Sequence, residues 1–162
     1  MRKASRSAGS RWRRYFSSDS VTRRLLTAAL IVLMWTRPAT TEIIAFVVIV
    51  NKANTVKSLT PAELRRIFMK QSRMWPHGEP MVPVDWESTH YLRSVFSKDV
   101  MSRSVREMQD YWVQQSMTQG LTQPSTQRSA RAVLRFVASV PGAISYVPPG
   151  EVDETVNVVA VK

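Results

Sequence analysis

Three short segments of this sequence carry side chains suited to holding an oxyanion. They are Asn51 to Thr55, with Asn54 inside it; Glu87 to His90, which holds Ser88 and Thr89 and is followed by Arg93; and Ser116 to Thr122, with Thr118 inside it. Hydroxyls, carboxamides and exposed backbone amides donate to an anion without a metal or a nucleophile, and amides at a helix N-terminus do so with the helix dipole behind them. Arg93 adds a forked cationic donor, and His90 adds charge when protonated. The same residue types are the preferred helix caps, so each segment taken singly reads first as capping.

Other chemistry lacks its residues. The two histidines, His77 and His90, stand in no His-Glu-x-x-His pattern, and no Asp-x-Asp-x-Asp loop is present, so no metal site is expected. There is no Gly-x-Ser-x-Gly elbow, no phosphate-binding P-loop and no Gly-x-Gly-x-x-Gly turn, and five glycines leave little material for a nucleotide cradle. Cysteine is absent, which removes disulfides and thiolate chemistry. The sequence therefore points to a binding protein without a cofactor rather than to an enzyme.

A net charge of +11 would ordinarily indicate a nucleic acid or acidic membrane partner, but the charge sits at the front. Residues 1–24 hold eight Arg or Lys against the single acid Asp19, whereas residues 41–162 hold 14 basic and 11 acidic side chains, a net of +3. Behind the basic start, Leu25 to Trp35 is an uncharged run of 11 residues, too short to span a bilayer, followed by the small residues Ala39, Thr40 and Thr41. A positive region, an apolar region and small residues in that order read as a secretory signal peptide over residues 1–40, with an exported domain over 41–162. The basic region is long for a signal, as it would be if translation began near Val21. The competing reading is a basic tail followed by an anchoring or buried helix. On the signal reading the leader is removed, the membrane is met only through it, and nucleic acid is not a partner. A chain trimmed at residue 41 keeps 122 residues, enough for one core.

The elements that must position the anion-binding segments follow from periodicity. Ile43 to Val50 is a continuous apolar run ended by Asn51-Lys52-Ala53-Asn54 and reads as a central strand buried on both faces. Thr60-Pro61-Ala62-Glu63 is a capping box with proline in the first turn; Leu64, Ile67 and Phe68 form the buried stripe, while Arg65 and Arg66 face water. Met81 to Val84 is a short strand in which Pro83 favours an edge or a strand end. A second helix starts near Ser88 or Thr89 and buries Leu92, Val95 and Phe96. A third starts at Ser104-Val105-Arg106-Glu107 with Val105, Met108 and Trp112 on one face. Ser116 to Gln127 reads as loop, and a fourth helix carries Ala130, Val133, Leu134 and Val137 up to Pro141-Gly142. Ala143 to Val147 and Val156 to Val161 close the chain as strands. Helices interleaved with short strands make an α/β domain, in which all three polar segments fall where strands end and helices begin. Trp86, beside one of them, reads either as a ligand-stacking ring or as packing.

The order of these pieces resembles the small substrate-binding proteins of phosphate ABC transporters, within the periplasmic-binding-protein superfamily. The resemblance runs from Glu42 to Lys162 and rests on Val50-Asn51 with Asn54, Leu64 with Ile67-Phe68, Trp75 with Gly78, Val82-Pro83-Val84, Arg93 with Phe96, Tyr111-Trp112, and Pro141-Gly142-Ala143-Ile144 with Tyr146-Val147. It implies a single-lobe α/β domain with a mixed sheet flanked by helices, a periplasmic address, no catalysis, phosphate or a similar oxyanion as ligand, and an ABC transporter or a sensor as partner. The ligand residues it implies, together with the polar segments, are Asn51, Asn54, Thr55, Ser88, Thr89, His90, Arg93 and Thr118. Two departures stand out: Thr89-His90 occupies the place of the Gly-Ser pair before the Arg-bearing helix, and Met117-Thr118-Gln119 replaces an aromatic-Thr-Gly. The first brings Asp85 and Glu87 close to a site meant for an anion. Such a domain could also keep the fold and use its ligand face to contact a protein.

Overall fold

The computed structural model describes residues 45–162. The basic leader, the apolar run Leu25 to Trp35 and the expected strand start at Ile43-Ile44 lie outside the described residues.

The first strand, β1 (Val47–Asn51), is buried at four of its five positions, as its apolar run requires. After the short strand β2 (Ser58–Leu59) comes helix α1 (Pro61–Phe68), whose start is the expected reciprocal cap: the Glu63 amide donates to Thr60 Oγ1 at 3.2 Å and the Thr60 amide donates to Glu63 Oε2 at 2.7 Å. Leu64, Ile67 and Phe68 are buried. Arg66 faces water as expected, but Arg65 is held, its Nε donating to the Val100 carbonyl at 2.8 Å.

Strand β3 (Val82–Trp86) leads into helix α2 (Tyr91–Asp99), then α3 (Val105–Gln119), strand β4 (Ser125–Gln127), helix α4 (Ala130–Ser139), strand β5 (Ala143–Val147), a single 3-10 turn (Pro149–Glu151) and strand β6 (Val156–Val161). Three expectations shift here. The second helix begins at Tyr91 rather than at Ser88 or Thr89, and it buries Arg93 and Ser97 along with Leu92 and Phe96, leaving Val95 half-buried. In the third helix Met108 and Trp112 are buried, but Val105 is half-buried. The stretch expected to be loop is helical as far as Gln119, where Gly120 ends α3 at φ +65, a left-handed conformation that costs glycine little.

The six strands form one mixed sheet in the order β2-β6-β1-β5-β3-β4. Strand β1 runs antiparallel to both neighbours, pairing Val48 with Tyr146 of β5 and with Val159 of β6, while β3 lies parallel to β5 and β4. Pro83 has sheet neighbours on both sides of its strand, yet β4 pairs only from Val84 onward, so on that side the proline sits at a ladder end. These directions give the sheet two distinct ends. At one, Asn51 finishes β1 beside the starts of β5 and β3; at the other, Trp86 and Val147 finish β3 and β5 beside Val47.

Every residue of β5 is buried, so both faces of the sheet are covered. On one side Phe68 and Phe96 gather around Tyr146, with Phe96 and Tyr146 stacked at 3.8 Å between ring centroids and Phe46 meeting both edge-on. Each such buried aromatic side chain contributes on the order of 1.5–3 kcal/mol from apolar burial. Glycine is required at position 142, where a Cβ would overlap the carbonyl oxygen of Pro80. That close approach lets the Gly142 carbonyl accept both from the Val82 amide at 3.0 Å and from the Trp75 indole at 3.0 Å.

Candidate functional site

Strand β3 ends in two buried residues, Asp85 and Trp86, that anchor the turn carrying the polar side chains. Asp85 Oδ1 accepts from the Tyr146 hydroxyl at 2.6 Å and from the Trp86 amide at 2.8 Å, and Oδ2 forms an ion pair with the Arg93 guanidinium. The Trp86 indole donates to the Tyr146 carbonyl at 2.8 Å. Beyond Trp86 the chain turns through Ser88 and Thr89, the turn being closed by the His90 amide donating to the Glu87 carbonyl at 3.0 Å. His90 then caps α2: its Nδ1 accepts from the Leu92 amide at 3.3 Å, and its ring stacks on Trp86 at 4.0 Å.

The turn forms one wall of a cleft of about 350 Å3. Trp86, Glu87, Ser88 and Thr89 line it from the turn, Arg93 from α2, Val105 and Gln109 from α3, Gln123 from the segment before β4 and Thr126 from β4. Ser88 and Thr89 are exposed, and among the described residues neither hydroxyl is taken up by another side chain or carbonyl. A guest in the cleft therefore meets hydroxyls, carboxamides and the start of a helix, a donor set suited to oxygen ligands.

Formal charge in the cleft cancels. Arg93 is 6% exposed and faces Asp85, which is 2% exposed, so its charge is already answered. Burial lowers the Arg93 pKa and raises that of Tyr146, which keeps the phenol protonated as a donor to Asp85. Glu87 pairs with Arg128 at the rim. A larger cavity, about 680 Å3, lies between α4 and the 3-10 turn with the segment after it, but it is an open groove of mixed charge, lined by Arg131 and Arg135 together with Glu151 and Asp153. Among the described residues no group of three His, Cys, Asp or Glu side chains could hold a metal.

The eight residues singled out in the sequence divide into two ends of the sheet and one helix terminus. Ser88, Thr89 and Arg93 meet in the cleft, with His90 behind them as the cap. Asn51, Asn54 and Thr55 stand at the opposite end. Asn51 is buried and structural: its Nδ2 donates to the carbonyls of Val137 at 2.8 Å and Ala138 at 2.9 Å, closing the C-terminus of α4. Asn54 is buried beside it and its Oδ1 accepts from the Val56 amide at 2.9 Å; Thr55 is exposed. Thr118 lies in the last turn of α3 with its hydroxyl donating back to the Gln114 carbonyl at 2.8 Å, not in a loop facing the cleft. Trp86 is a packing residue, 1% exposed with its indole satisfied, rather than a stacking platform. Sequence reasoning missed Gln109, Gln123 and Thr126. Gln109 sits one helical turn after Val105 and was within reach of the 3.6-residue period, whereas Thr126 reaches the cleft only because β4 pairs it with Asp85.

No protein-family model and no curated protein matches the sequence. Solved structures do match. A putative phosphate ABC transporter substrate-binding protein with bound phosphate from Clostridium perfringens aligns with a TM-score of 0.58 at 23% identity over 72% of this chain and 44% of its own. PstS from Borrelia burgdorferi aligns with a TM-score of 0.58 at 14% identity over 73% of this chain and 47% of its own. An ABC-type phosphate transport receptor from Vibrio cholerae aligns with a TM-score of 0.55 at 18% identity over 72% of this chain and 46% of its own. The chain has the fold of the phosphate receptors. The resemblance read from the sequence thus holds for the architecture, a mixed sheet flanked by helices. The chain spans less than half the length of each of these phosphate receptors.

Proposed function

We propose that this chain is a periplasmic module that binds phosphate or a similar oxyanion in the cleft between Ser88, Thr89 and Arg93, in the service of ABC-type phosphate transport. The observation that carries the reading is the cleft itself: unengaged Ser88 and Thr89 hydroxyls at the start of a helix, in a fold shared with a phosphate-bound receptor. The basic leader and apolar run support export; the first residue of the protein recovered from the periplasm, read by N-terminal sequencing, should fall near residue 41.

Because Asp85 already neutralises Arg93, binding rests on neutral donors and the helix dipole, so the dissociation constant should be on the order of millimolar. Titration calorimetry with phosphate, sulfate and arsenate, with chloride at matched ionic strength as control, measures it. Thr89→Tyr, which fills the cleft from an exposed position, should abolish the heat without changing the circular dichroism spectrum. Silence of the unmodified protein at 10 mM phosphate, about ten times the expected constant, would remove the binding claim.

The neutralised arginine also favours a second reading, a sensor or adaptor domain that keeps the fold and turns the same face to a protein partner. Loss of partner capture in Thr89→Tyr, with no anion heat in the parent protein, would select it.

A further inference from the structure

The cleft is larger, and furnished differently, than a bare oxyanion requires. Its volume of about 350 Å3 falls among sites that hold small organic molecules, roughly 300–1,000 Å3. Ser88, Thr89 and the start of α2 serve the oxyanion from the turn side, which leaves the lining from α3, Gln123 and β4 without a role. We infer that the ligand is a phosphate monoester of a small polyol, with its phosphate at the turn and its hydroxylated tail along Glu87, Gln109 and Gln123. This inference rests on the cleft being an oxyanion site and names the kind of oxyanion it takes.

The first observation that carries it is the supply of acceptors in the lining. Glu87 Oε1 accepts from Arg128 Nε at the rim, while its other carboxylate oxygen takes no donor among the described residues. That oxygen repels a bare phosphate dianion but accepts readily from an alcohol. Gln109 and Gln123 are exposed, and their carboxamides are likewise uncommitted among the described residues, each offering an acceptor beside its donors. A phosphate dianion carries one hydroxyl and can serve at most one of these acceptors. The hydroxyls of a polyol both donate and accept, so they can serve all three. The second observation is how little apolar surface the lining offers. Trp86 is 1% exposed, which leaves half-buried Val105 as the apolar lining residue with surface to give. An alkyl tail would displace water from these polar groups without replacing its hydrogen bonds, whereas a hydroxylated tail replaces them. Charge points the same way. With Arg93 answered by Asp85 and Arg128 by Glu87, affinity beyond that of the phosphate head has to come from neutral hydrogen bonds.

The test titrates the full protein with inorganic phosphate, glycerol 2-phosphate, isopropyl phosphate and glycerol. Isopropyl phosphate is glycerol 2-phosphate without its two free hydroxyls, so the ratio of the two affinities isolates what the tail's hydrogen bonds contribute. Glycerol 2-phosphate should bind about tenfold tighter than isopropyl phosphate, the return on two or so neutral hydrogen bonds. Glycerol should give no heat at the same concentration. The double variant Gln109→Ala, Gln123→Ala, made at exposed positions, should lower the ratio to about threefold or less. Equal affinity for the two esters in the parent protein overturns the inference and spares the oxyanion reading. A ratio that the double variant leaves unchanged overturns it too, by placing the hydroxyls elsewhere. Glycerol binding as tightly as glycerol 2-phosphate, or silence with phosphate and both esters, sinks the oxyanion reading and this inference together.

Discussion

Asp85, Arg93 and Tyr146 show how a residue with the chemistry of a ligand contact is also committed to the fold. A guanidinium buried beside a carboxylate is stable only as a pair, because a single charge left in the interior has no compensation. Arg93→Met should therefore destabilise the domain by about 3–5 kcal/mol, more than removing a surface anion contact would. The double variant Arg93→Met, Asp85→Asn should recover part of the loss. Tyr146→Phe takes one donor from Asp85 Oδ1 and should cost about 1.5–3 kcal/mol, the range for a hydrogen bond to a charged group. Burial raises the Tyr146 pKa above its ordinary 10.0, so the tyrosine supports folding fully below pH 10.0 and that support is lost as pH rises through the higher folded value. Urea unfolding of the parent and Tyr146→Phe proteins at neutral and alkaline pH checks all of these, the difference between the two narrowing above pH 10.0. If Arg93→Met unfolds no more easily than the parent, the guanidinium is free for an anion and the neutral-cleft argument fails.

Among the elements, local signals in the sequence were read correctly where they were chemically specific and misplaced where they were only compositional. Both capping boxes, Thr60 with Glu63 and Ser104 with Glu107, form as the residues dictate, and the strands Ala143–Val147 and Val156–Val161 match their apolar runs. The stretch Ser116 to Gln127 reads as loop because it is rich in Ser, Thr, Gln and Gly, yet α3 continues into it as far as Gln119, until a glycine can turn left-handed, and Ser125–Gln127 pairs as β4. Ser88, Thr89 and Arg93 could be grouped because one turn and one helix hold them. Asn51 could not be separated from them, since nothing local reveals that β1 runs antiparallel to β5 and so carries Asn51 to the far end. The caps also set a pH response. Hydrogen bonds from the backbone and then the hydroxyl of Thr60 hold the Glu63 pKa below its ordinary 4.5, and Ser104 does the same for Glu107. Both carboxylates thus stabilise the domain above pH 4.5, and the contribution fades as pH falls through their lower folded values. Thr60→Ala or Ser104→Ala should cost about 1 kcal/mol at neutral pH and leave a smaller further loss on acidification, measured by thermal unfolding across pH 2–6.

At the scale of the whole molecule, the sheet separates holding the fold from holding a guest. Asn51 and Asn54 secure one end: Asn51 ties β1 to the C-terminus of α4, while the Asn157 side chain donates to the Lys52 and Asn54 carbonyls and ties β6 to the same loop. The cleft lies at the other end, beyond Trp86 and Val147. Substitutions at the two ends share no hydrogen-bond partner, and effects at sites so separated add with little coupling. Asn51→Ala removes the donor to two helix carbonyls and should lower stability by about 1–3 kcal/mol, while the affinity for phosphate stays unchanged at temperatures where the variant is folded. Thr89→Val, which keeps shape and removes the hydroxyl, should weaken binding by several-fold and leave the unfolding midpoint within a degree or so, as expected for an exposed side chain. The double variant should show the sum of the two changes in both measurements. An affinity loss in Asn51→Ala would mean that the far end moves with the cleft, and would return Asn51 to the ligand residues from which the strand directions remove it.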